Sequence, residues 1–151
     1  MSANQTITGL YTAINRRDLE AAIAYIDEDC IYQDLNFPKP FIGKAAVKEL
    51  FKDSMNSVPD DFQFIIDDIA GDDHAVGLTW HVELGQLTFP NTRGVSFYKI
   101  SPSTGLINYG RDIVESPLKP GKLAFAIIRA VTPLARRLLK PNNNSESEHT
   151  H

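Results

Sequence analysis

Apolar residues recur at helical spacing three times in the first part of the chain. Ile7, Leu10, Tyr11 and Ile14 share one helical face. After the break at Asn15-Arg16-Arg17, Leu19, Ala22, Ile23 and Ile26 share a second, with Asp18 placed to cap it. The acidic run Asp27-Glu28-Asp29 is expected to end that helix, and Cys30 to Leu35 to form a short strand. Pro38 and Pro40 impose an irregular loop, after which Gly43 opens a third helix with the stripe Val47, Leu50, Phe51 and Met55, closed before Pro59. The period then changes to two. Residues 62–69, 75–86, 94–100 and 106–115 are β-rich, separated by Gly71-Asp72-Asp73, Pro90-Asn91 and Pro102-Ser103-Thr104-Gly105.

Helices first and a strand meander later predict an α+β domain, with the N-terminal helices packed on the concave face of a curved antiparallel sheet. The chain has 151 residues, enough for one domain over residues 1–117 with a real core. A basic, amphipathic helix is expected over residues 118–141, carrying the stripe Leu123, Ile127, Val131, Leu134 and Leu138 interrupted by Pro133, and a disordered tail over 142–151. The net charge of -4 hides an asymmetry. Residues 1–115 hold 17 acids and 9 bases, whereas 116–140 hold six bases and no acid. An acidic body argues against nucleic acid as a partner. The lone cysteine, Cys30, forms no internal disulfide and reads as a buried structural thiol, consistent with a reducing compartment. No signal peptide or bilayer-length apolar run is visible, so the expectation is a soluble, cytoplasmic protein with peripheral membrane contact left open.

Alternation within the longest strand puts Val76, Leu78, Trp80, Val82 and Leu84 on one face and Gly77, Thr79, His81 and Glu83 on the other. In the last strand Ile107, Tyr109, Arg111 and Ile113 oppose Asn108, Gly110 and Asp112. Two readings stay open. Either the apolar faces form the core and His81, Glu83 and Asp112 meet water, or the small, acidic faces line a cavity and a second subunit covers the apolar outer face of the sheet.

Residues 18–34 (Asp18-Leu19-Glu20 through Cys30-Ile31-Tyr32-Gln33-Asp34) and Gly43-Lys44-Ala45-Ala46-Val47 resemble the opening half of ketosteroid isomerases and SnoaL-type polyketide cyclases. Thr79-Trp80-His81-Val82-Glu83-Leu84 and Gly110-Arg111-Asp112 are similar to strands of limonene epoxide hydrolases. The resemblance spans roughly residues 5 to 116 and implies a nuclear transport factor 2-like cone around a pocket for a small apolar molecule. It also implies that Asp34 matches the isomerases' general base or the Asn that holds the hydrolases' nucleophilic water. Glu83 and Asp112 match the two hydrolase carboxylates, and His81 stands where an Arg bridges them. The isomerases' oxyanion tyrosine falls opposite Leu10, one place from Tyr11, and their second acid near Ser96.

Three carboxylates in an apolar cone cannot all ionise cheaply, so one acid beside one base is expected. That suits isomerisation, ring closure or epoxide hydrolysis without a cofactor or metal. The expected assignment has Asp112 and Glu83 dividing the acid and base roles, His81 orienting them, and Tyr32 and Asp34 positioning water or substrate. Trp80, Phe97 and Asn108 complete the lining. A non-catalytic carrier of an apolar ligand is the alternative. For the C-terminal helix, contact with anionic lipid competes with packing on its own domain or on a partner subunit.

Overall fold

The computed structural model describes residues 2–139, which fall into two compact units dividing between Ser116 and Pro117. Pro141 and the tail expected to be disordered lie outside the described residues.

In the first unit, α1 (Ala3–Asn15) is held at its start by a reciprocal box, in which Ser2 accepts from the Gln5 backbone and the Gln5 side chain accepts from the Ser2 backbone. Ile7, Leu10 and Tyr11 are buried. Arg17, at φ 57°, turns the chain into α2 (Leu19–Ile23), where Asp18 accepts from Ala21 N at 3.0 Å as expected of a cap. Then come β1 (Ile26–Asp34), β2 (Phe41–Ile42), α3 (Lys44–Ser57), β3 (Phe62–Gly71), β4 (Ala75–Leu84), β5 (Leu87–Thr88), β6 (Gly94–Ile100) and β7 (Ile107–Val114). The second unit contributes α4 (Leu123–Leu138).

The strands form one curved, unclosed sheet in the order β2-β1-β7-β6-β4-β3, with β5 beside β4. Its pairs are antiparallel except β1 with β7, which run parallel, so the sheet is mixed. Register decides which faces agree. Leu78 pairs with Ser96, and Ser96 with Asp112. Directly paired residues project to the same side. Leu78, Ser96 and Asp112 therefore share the face that carries Val76, Trp80, Val82 and Tyr98, all four buried in one core with Leu10 and Tyr11 of α1 and Val47 and Phe51 of α3. The apolar face of β4 is thus covered by the chain's own helices.

Two boundaries differ from the sequence reading. The acidic run Asp27-Glu28-Asp29 lies inside β1, because α2 closes at Ile23 and the backbone of Ile26 already pairs with Ile107. Part of the proline loop is also a strand, since Phe41 and Ile42 pair with Tyr32 and Ile31. Cys30 is fully buried, and that burial first, with the charge of Asp27 second, pushes its thiol up to about 12, as an inert core cysteine requires.

Candidate functional site

On the helix-facing side of the sheet five hydroxyl or indole groups gather around one carboxyl. Trp80 Nε1 donates to Ser96 Oγ at 2.8 Å, and Ser96 Oγ shares a hydrogen bond of 3.0 Å with the hydroxyl that Tyr11 brings from α1. The Tyr98 hydroxyl lies 3.2 Å from those of both Tyr11 and Tyr32, and donates to Asp112 Oδ1 at 3.2 Å. Tyr32 donates to Asp112 Oδ2. Glycines make this possible. A Cβ on Gly110 would stand 2.6 Å from the Tyr32 ring, and one on Gly94 would stand 2.1 Å from Trp80, so only bare backbone lets these rings lie flat over β7 and β6.

Burial dominates the electrostatics. It pushes the Asp112 carboxyl up to about 6, against hydrogen bonds from Ser96, Tyr32 and Tyr98 that favour the charged form, with the charge of Asp34 adding to the rise. Tyr11, Tyr32 and Tyr98 are all raised, first by burial and next by the charge of Asp112, which keeps them neutral donors. Asp34 is paired in register with Asp112 on the adjoining strand, so the two backbones are about 5 Å apart. Its Oδ1 accepts from the backbone and side chain of Asn36 at 2.9 and 2.8 Å. Asp112, Asp34 and Tyr32 thus come together as the sequence suggested, with Trp80 behind them. The tyrosines Tyr11 and Tyr98 were missed as site residues. The signal for Tyr11 was its place on the buried face of α1.

His81 and Glu83 do not join this group. They lie on the opposite face, because the register that puts Asp112 beside Ser96 and Leu78 leaves their alternate residues pointing away from the helices. Sequence alternation gives parity along one strand and says nothing of parity between strands. On that outer face His81 Nδ1 lies 2.8 Å from Asp67 and Nε2 lies 3.3 Å from Glu83. Asp67 reaches His81 because it is the extra residue in a bulge between Ile66 and Asp68. Burial, the largest single influence, lowers the His81 pKa, but the hydrogen bonds and charges of the two acids together outweigh it and raise it. No metal-binding group of three acids, histidines or cysteines occurs among the described residues.

Phe97 also lies on the outer face, paired with Gly77 and Arg111, and is 41% exposed beside Val95 and Ile113. Asn108 sits in the irregular step where Lys99 pairs with Tyr109 and Ile100 with Ile107. It is four residues, about 13 Å, along β7 from Asp112. Neither reaches the Asp112 cluster. A cavity of about 420 Å³ opens on the exposed side of α1, lined among others by Thr8, Thr12, Arg16, Asp18 and Tyr25. It holds no acid and base in contact, and its one carboxylate is committed to capping α2.

A profile of the SnoaL-like domain matches residues 7–108. The chain belongs to the SnoaL-like domain family. Solved structures similar to this SnoaL-like chain include a candidate ketosteroid isomerase from Kribbella flavida, 17% identical, covering 99% of this chain and 95% of that one at a TM-score of 0.64. A candidate SnoaL-like polyketide cyclase from Shewanella denitrificans is 19% identical over 75% of this chain and 90% of that one, at 0.63. A protein of unknown function with a cystatin-like fold from Methylobium petroleophilum is 18% identical over 79% of each chain, also at 0.63. At such identities the likeness establishes the fold. A search of curated proteins finds no match.

Proposed function

We propose that this SnoaL-like domain binds a small apolar molecule carrying a carbonyl or similar oxygen and moves a proton on it, with Asp112 as the group that takes up and returns the proton. The observation that carries this reading is a half-buried carboxyl held by two neutral tyrosine hydroxyls and raised to about 6, close to where a general base works best near neutral pH. Removing a proton next to a carbonyl places charge on its oxygen, and Tyr32, Tyr98 and Tyr11 are the donors at hand to receive it. Asp34, in register with Asp112 and tied to Asn36, orients the ligand or a water. Isomerisation and ring closure both fit this arrangement. Epoxide hydrolysis through Glu83 and His81 does not, since those groups face away from Asp112.

The test uses an apolar cyclic ketone with a β,γ double bond, followed by the ultraviolet absorbance of the conjugated isomer. Asp112→Asn is expected to lose at least about 100-fold in turnover while binding of the ketone changes only a few-fold. The carrier alternative predicts no turnover by the native chain and unchanged or tighter binding by the same variant. Native turnover that Asp112→Asn leaves intact would sink the assignment of Asp112.

A further inference from the structure

We propose that α4 is a peripheral-membrane helix that lies in the interface of a bilayer containing anionic phospholipid. At 100° per residue, Leu123, Ile127, Val131, Leu134 and Leu138 fall within one narrow arc of its surface. All five are exposed, from 50% at Ile127 to 75% at Leu138, and no residue of the helix is buried. An exposed apolar arc of this length needs a cover.

Charge selects the cover. Arg129 and Arg136 lie on the side opposite the arc and Arg137 beside it, Lys122 stands at the helix start, and no acid occurs from Ser116 to Leu139. The body carries the acids instead. A second copy of α4 has no acid to pair with these cations, whereas an anionic lipid surface takes up the apolar arc and attracts the positive charge of the helix at once. The helix is about 24 Å long along its axis. No helix among the described residues is long and apolar enough to cross a membrane, so α4 lies along the surface. Pro133 removes a backbone donor within the helix, and an interfacial position leaves the freed carbonyl in reach of headgroup water.

The experiment is co-sedimentation of the full chain with phosphatidylserine-containing vesicles and with pure phosphatidylcholine vesicles, at low and raised salt. Binding is expected only with phosphatidylserine and is expected to fall with salt. Arg129→Ala with Arg136→Ala should weaken it by about tenfold or more, since each cation near such a surface contributes about fivefold. Ile127→Asp with Leu134→Asp should abolish it. Both double variants are expected to keep the native thermal transition of the body, measured alongside. Absence of binding by the full chain, equal binding to neutral vesicles, or binding that survives both double variants overturns the proposal. A dimer seen by sedimentation that only Ile127→Asp with Leu134→Asp dissolves, without vesicle binding, assigns the arc to a second copy and overturns it as well.

Discussion

The two faces of the sheet each gather ionisable groups, and they tune them by opposite means. On the helix side one carboxyl, Asp112, is surrounded by hydroxyls and aromatic rings. Its charge has lost water without gaining a cation, and burial raises it to about 6. On the outer side His81 keeps company with two carboxylates in a partly wet setting, and their charges raise the imidazole despite the opposing effect of burial. The lesson is that residue type is a poor guide to role. Asp112 and Glu83 were both candidates as sequence, yet only Asp112 faces the helices and has its carboxyl raised by burial.

The sharpest way to break this contrast is to remove the space that lets the inner cluster exist. Gly110→Ala forces a methyl into the Tyr32 ring, and chemical denaturation should show a loss of about 3 kcal/mol. Next is the charge itself. An acid whose pKa is raised on folding binds its proton more tightly when folded, so stability should fall as pH climbs from about 4 through about 6. Asp112→Asn should flatten that limb and be more stable than the native chain at pH 8 by about 1–2 kcal/mol, because Tyr32 and Tyr98 can still donate to the amide oxygen. A variant less stable than the native chain at pH 8 would mean that the hydroxyls, rather than burial, govern Asp112.

The smallest effect belongs to the outer face. A histidine raised on folding contributes stability that is fully present below its ordinary value near 6.5 and is lost as pH rises through the raised one. His81→Gln should erase that upper limb, leave the lower one due to Asp112 untouched, and leave turnover unchanged. A fall in turnover would return His81 to the site.

Much of the fold was legible because its rules are local. The stripe of α1, the Asp18 cap, the α3 stripe after Gly43 and the alternation along β4 are set by spacings of two to four residues, and all appear in the structure. β1 was read too short because a run of three acids looks like a helix end unless its pairing with β7 is known. For the candidate site, Asp112 could be picked out by residue type and alternation, and Asp34 and Tyr32 by family resemblance. The roles given to His81 and Glu83 depended on a parity between strands 30 residues apart in the chain, and a shift of one residue reverses it.

By itself the sequence determined which residues alternate on each strand, which faces of the helices are apolar, and that an acidic body precedes a basic amphipathic helix, since each depends on neighbours a turn or a pleat away. Only the tertiary structure decided that Asp112 faces the helices, that Tyr11 crosses from α1 to meet Ser96 and Tyr98, and that His81 turns outward to Asp67. Those outcomes follow from strand register and from a bulge, and both are fixed by long-range packing against the core.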